Sequence, residues 1–177
     1  MSRMEGAAVR TMRMLPWLLL FAASTLACSR RPQTAVMLEE PGYSIQMPAP
    51  FTKRVDEQEL GRVSIYIAKV GSRVFEMAYS DNLRGVELSP DEMLGALQSV
   101  YVGGDVVMRQ AVVELDGYPG RSLEIKGRGM IRFLRLYSVE RRAYHISVLS
   151  READASEPEA EDFFRTFQLR GPVSRNQ

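Results

Sequence analysis

From Met14 to Ala23 the chain is unbrokenly apolar: Met-Leu-Pro-Trp-Leu-Leu-Leu-Phe-Ala-Ala. About ten such residues match the core of an export signal and are roughly half of what a membrane-spanning helix needs. Beyond Pro41 the apolar positions recur with short periods instead. Tyr43, Ile45 and Met47 alternate with Ser44 and Gln46, the signature of a half-buried strand, and Pro48-Ala49-Pro50 ends it. Phe51–Leu60 is polar and reads as an edge strand or a loop. Arg62–Val70 and Arg73–Ser80 form the clearest hairpin, with Val63, Ile65 and Ile67 on one face, Phe75, Met77 and Tyr79 on one face of the partner, and Gly71-Ser72 between them.

The period then changes. Ser89-Pro90-Asp91-Glu92 is a helix start, in which Ser89 caps, Pro90 suits the first helical position and Glu92 completes a capping box. Met93, Leu94, Leu97, Val100 and Tyr101 follow at helical spacing and predict core packing, and Gly103-Gly104 ends the helix. Asp105–Leu115 and Arg121–Lys126 read as strands around a turn at 116–120. Met130–Val139 and Ala143–Leu149 add two more, linked at 127–129 and 140–142. Short links between successive strands imply antiparallel pairing. Ser156-Glu157-Pro158-Glu159 repeats the capping logic, and Ala160, Phe163, Phe164 and Phe167 then share one face of a final helix that should cover a sheet.

Strands, helix, four strands, helix: the order predicts an α+β domain, a curved antiparallel sheet of about six or seven strands flanked by two helices, an α/β/α sandwich. A small closed barrel with a terminal helix is the competing architecture.

Charge changes the picture at the N-terminus. Arg3, Arg10 and Arg13 precede the apolar run with only Glu5 opposing them, the polarity that orients an exported segment. Ala22, Ala23, Ser24, Thr25 and Ala27 then supply small residues for cleavage. Loss of residues 1–27 removes three arginines and one glutamate, taking 23 basic and 22 acidic residues to 20 and 21. A balance so near neutral argues against nucleic acid as the partner of the whole domain.

Cys28 is the only cysteine, so it forms no disulfide within the chain. Ser24-Thr25-Leu26-Ala27-Cys28 resembles the lipobox of bacterial lipoproteins, with Thr25 where the box usually carries leucine. The resemblance implies lipidation of Cys28 by a diacylglyceryl thioether, with palmitate-like chains, and cleavage after Ala27. Two or more acyl chains anchor stably where one does not. Ser29 in place of aspartate implies, by likeness to enterobacterial sorting, the outer membrane facing the periplasm. The expected organisation is a signal peptide at 1–27, a lipidated cysteine and tether at 28–40, one domain at 41–170 and a polar tail at 171–177.

Candidate chemistry is sparse. His145 is the single histidine and sits in a predicted strand, so any triad or zinc site would have to use it; a packing or surface role is expected. The acids Asp91, Glu92, Glu152, Asp154, Glu157, Glu159, Glu161 and Asp162 lack the turn glycine of a calcium loop and suit helix N-termini. No catalytic residue, metal ligand set or cofactor is expected. Between Arg121 and Arg142 seven basic residues face two acids, and Arg132, Arg135 and Tyr137 are the candidate residues for an anionic ligand or partner. Strand parity puts Arg132 and Arg135 on opposite faces, unless a bulge intervenes. Arg135, sharing parity with Ile131, Phe133 and Tyr137, then enters a semi-buried cleft and needs an acidic partner.

Three segments carry a resemblance: Pro41-Gly42-Tyr43-Ser44-Ile45-Gln46-Met47-Pro48, Gly117-Tyr118-Pro119-Gly120-Arg121 and Phe163-Phe164-Arg165-Thr166-Phe167-Gln168-Leu169. Together they resemble the PsbP-like fold, including the bacterial DcrB-like lipoproteins. The resemblance implies a curved antiparallel sheet between helices and a non-enzymatic accessory or binding role toward a protein or small ligand. An envelope hydrolase and a purely structural envelope subunit are the alternatives.

Overall fold

The computed structural model describes residues 34–58, 61–81 and 88–171; the Cys28 site and the segment before it lie outside them. Ten strands and two α-helices follow in the order β1 (Ala35–Glu40), β2 (Tyr43–Pro48), β3 (Phe51–Gln58), β4 (Gly61–Val70), β5 (Arg73–Asp81), α1 (Pro90–Val102), β6 (Val106–Leu115), β7 (Tyr118–Gly127), β8 (Met130–Val139), β9 (Arg142–Arg151), α2 (Glu157–Arg165) and β10 (Gln168–Leu169). A 3-10 turn at Glu152–Asp154 precedes α2. The main sheet has seven strands, ordered β3-β4-β5-β9-β8-β7-β6, and every pairing in it is antiparallel. A three-stranded sheet, β1-β2-β10, lies apart from it in hydrogen bonding. The main sheet is open, with β3 and β6 at its edges, so the barrel alternative does not hold.

Three readings of the sequence need correction here. Residues 35–40, expected in the tether, form β1, which pairs along its length with β2. The turn expected at 116–120 needs only Asp116-Gly117: β7 starts at Tyr118 and runs through Pro119, whose neighbour Gly120 is where pairing to β8 begins. Both turn residues there have positive φ, 51° and 84°, as do Arg128 (51°) and Gly129 (73°) in the next hairpin, the geometry that lets a two-residue loop follow strand twist. Ser156, expected to cap α2 through its side chain, makes no such hydrogen bond. By contrast Ser89 and Glu92 form the full capping box on α1.

The two faces of the main sheet carry separate cores. On one, Phe75, Met77, Phe133, Tyr137, Tyr144, Ile146 and Val148 pack under α2 and the small sheet. Tyr43 from β2 joins the layers, its ring 5.2 Å from Tyr79, 5.6 Å from Tyr144 and 5.8 Å from Phe167. Phe163 and Phe164 are buried as the helical spacing predicted, worth about 2 kcal/mol apiece by area. Phe167, expected on the same helix, lies past its end at Arg165 and is buried from the link to β10. On the opposite face, Leu94 of α1 packs with Leu123, Ile125, Leu134 and Leu136. The expected apolar stripe of α1 is narrower than its spacing implied, because Val100 turns outward.

The Gly117-Tyr118-Pro119-Gly120-Arg121 segment owes one glycine to packing. A Cβ on Gly120 would lie 2.6 Å from the Leu136 carbonyl oxygen and 2.5 Å from the Tyr137 ring. Gly120 is Tyr137's cross-strand partner, so the bare backbone makes room for that ring.

Candidate functional site

The expected parity holds: Arg132 and Arg135 project from opposite faces, so the structure does not bring the candidate trio together. Arg135 lies on the α2 side. Its Nη2 donates to Glu161 Oε2 at 2.6 Å, and its guanidinium sits 5.0 Å over the Phe164 ring. The acidic partner that its position required is therefore supplied by α2. Tyr137, on the same face, is buried and stacks on Phe167, with centroids 6.0 Å apart and planes 14° apart. Burial raises its hydroxyl above the ordinary phenol value, against the pull of Arg135.

The acids assigned to a helix terminus from the sequence do a second job. Glu157 meets Arg109 of β6 at 2.6 Å, Glu159 meets Arg73 of β5 at 2.9 Å, and Glu161 meets Arg135 of β8. Alternate carboxylates of α2 thus reach three strands. Arg109 also contacts Glu124 at 3.1 Å. Ala111, Ser122, Phe133 and Phe164 complete a groove of about 170 Å³ beside this pair. Elsewhere Arg121 bonds Gln98 and Asp91 on α1, Lys126 contacts Glu152, and Arg142 donates to the Pro41 carbonyl oxygen. The basic run is thereby shared between both faces.

Arg132 lies on the α1 side, where Nη1 donates to Ser147 Oγ at 3.1 Å. His145 is next to it, buried, with the Tyr101 ring at 3.9 Å and Glu76 Oε1 3.3 Å from Nδ1. Neither imidazole nitrogen makes a hydrogen bond. Burial, then the Arg132 charge, holds the imidazole well below its usual range; burial raises Glu76, against the pull of Arg132 and Arg54. Ser147, His145 and Glu76 share one face, yet Ser147 bonds Arg132 rather than the histidine, so no relay from hydroxyl through imidazole exists. Among the described residues no group of three His, Cys, Asp or Glu side chains could hold a metal ion.

The feature that sequence reasoning missed is an edge. Among the described strands β6 pairs only with β7, and its exposed side chains include Val106, Met108 and Val112, the last 86% exposed. The register shifts between Val107 and Arg109, which places Met108 in a bulge. Gln98 of α1 donates to Gln110 at 3.1 Å, which brings the helix to the same strand; Val100 of α1 is itself 76% exposed. Exposed apolar side chains along a sheet-edge strand mark an interaction edge. The signal was present in Val106-Val107-Met108 and Val112-Val113, where apolar residues run consecutively instead of alternating.

No protein-family model matches the chain, and no curated protein matches it. Solved structures do. The cyanobacterial PsbP (CyanoP) of Synechocystis sp. PCC 6803 is 8% identical with a TM-score of 0.58, over 78% of this chain and 94% of that one. A Bacteroides thetaiotaomicron protein is 14% identical at a TM-score of 0.46, over 76% of this chain and 48% of that one. A Pseudomonas aeruginosa protein of unknown function is 15% identical at 0.42, over 75% and 91%. At such identities the first likeness is one of fold alone, and on that basis the chain has a PsbP-like fold: an α+β domain whose antiparallel sheet lies between helices.

Proposed function

We propose that the protein is a lipid-anchored component of a bacterial cell envelope, of the DcrB-like kind, whose domain is a non-catalytic binding module for another protein. The lipobox-like segment ending at Cys28 supports the anchor, and Ser29 supports the outer membrane facing the periplasm. The observation that carries the binding role is the β6 edge, where Val106, Met108 and Val112 stand exposed. An extended segment added to that edge would gain main-chain hydrogen bonds, with its alternating side chains meeting Val106 on one face and Val112 on the other. The separation of Ser147 from His145 in hydrogen bonding also favours binding over hydrolysis.

The test is affinity capture from membranes with the Cys28-anchored chain, comparing the parent with Met108→Asp and Val112→Asp. A specific protein captured by the parent and lost with both variants supports the reading. Equal capture by all three, or absence of lipid on Cys28 in the purified mature chain, overturns the edge or the anchor respectively.

A further inference from the structure

The second edge of the main sheet has different chemistry. β3 carries Lys53-Arg54-Val55-Asp56-Glu57, and its outer side pairs with no described strand. Lys53, Val55 and Glu57 share one face and Arg54 and Asp56 the other. The run is antisymmetric about Val55: read in reverse, every charge changes sign. A strand so written is the complement of itself, but only when laid antiparallel.

We propose that β3 pairs with β3 of a second copy of this chain, antiparallel, about a two-fold axis through Val55. Lys53 then lies opposite Glu57 of the second copy and Arg54 opposite its Asp56, each twice, around a central contact of the two Val55 side chains. Residues opposite one another in an antiparallel ladder point to the same face, so all four charge pairs are geometrically direct. The register is selected by charge. Shifting the axis to Asp56 or to Arg54, the neighbouring positions that preserve faces, sets two like charges directly opposite. Parallel pairing in register sets every charge opposite its like. Other strands lacking this charge order are rejected, which is how a charged edge ordinarily avoids promiscuous pairing.

Within one copy Arg54 and Glu57 are held loosely, while Lys53 also lies 5.0 Å over the Tyr66 ring beside half-buried Glu40. Arg54 Nη2 bonds Asp56 Oδ2 at 2.7 Å, Lys53 Nζ bonds Glu40 Oε1 at 2.9 Å, and Arg62 stands 3.7 Å from Glu57. The Arg54 and Glu57 side chains remain 65% and 78% exposed, so exchanging these partners for those of a second copy costs little. The pairing joins two sheets into one and leaves both β6 edges outermost and open.

Cross-linking of the full chain in membranes tests this. With Val55→Cys, mild oxidation should give a disulfide-linked dimer well above the backgrounds from Val112→Cys and from the parent, which has Cys28 alone. In the Val55→Cys chain, Lys53→Glu with Arg54→Asp, or Asp56→Arg with Glu57→Lys, should each cut self-cross-linking about tenfold or more. Co-expression of the two charge-reversed chains should restore it as a mixed dimer, which misfolded chains could not do. Cross-linking at Val55 no stronger than at Val112, self-cross-linking unaffected by either reversal, or failure of the mixture to recover overturns the proposal.

Discussion

Arg135 of β8 and Glu161 of α2 meet at 2.6 Å over the Phe164 ring, both largely shielded from water. Removing either partner strands the other charge in a half-buried site. Arg135→Ala or Glu161→Ala should each cost about 1–3 kcal/mol of unfolding free energy, while Arg135→Met with Glu161→Leu should cost less than the sum of the two. Urea denaturation with an unchanged slope would register this; additive losses would show that the two residues act independently.

His145 gives the fold an acid sensitivity. Its folded pKa lies well below the unfolded value of about 6.5, so it is neutral in both states at higher pH and contributes no pH dependence there. As pH falls through about 6.5 the unfolded chain takes up a proton that the folded chain refuses, and stability drops by at most about 1.4 kcal/mol per pH unit. Glu76, raised by burial, works in the opposite sense, because the folded chain holds its proton above the pH at which the unfolded chain releases it. Thermal melts from pH 7.5 to 5 should therefore fall for the parent and flatten for His145→Leu. The fall should steepen for Glu76→Gln. A parent melting temperature indifferent to this range would refute the assignment.

Gly120→Ala should destabilise by about 1–3 kcal/mol, because the added methyl must displace the Tyr137 ring or the Leu136 backbone. Tyr137→Leu in the same chain should recover part of the loss if the ring is the obstacle. Double-mutant melts decide it.

The two helix caps should respond unequally. Ser89→Ala removes a capping box and should cost about 1 kcal/mol, whereas Ser156→Ala removes no cap hydrogen bond and should lie within about 0.5 kcal/mol of the parent. Similar losses at both sites would show that Ser156 caps α2 in solution.

Much of this architecture is written in local pattern. The alternation in Arg73–Ser80 and the capping box at Ser89 each report a single element's own pattern and are seen in the fold. In β4, by contrast, the face turned to Phe75 and Met77 is Ser64, Tyr66 and Ala68, and Val63, Ile65 and Ile67 are only half-buried on the other. Strand parity even separated Arg132 from Arg135. What local pattern could not carry is information about neighbours. Residues 35–40 look like linker because only Leu38 among them is buried, and β1 forms by pairing with β2. Gly117 to Gly120 look like turn by composition, but Gly120 is a packing space for a ring seventeen positions later. The apolar edge of β6 became visible only once strand order showed that no described strand pairs on its outer side.

The sheet order also bears on how the chain finds its fold. β3 to β5 and β6 to β9 are two meanders, each assembled from hairpins closed by short turns, and they join only where β5 meets β9, with Met77 opposite Ile146. Closing that seam spends the largest loop entropy in the main sheet, so its formation should limit the folding rate. Truncation at Met77 or Ile146 should then slow refolding, while lesions at the outer strands chiefly hasten unfolding.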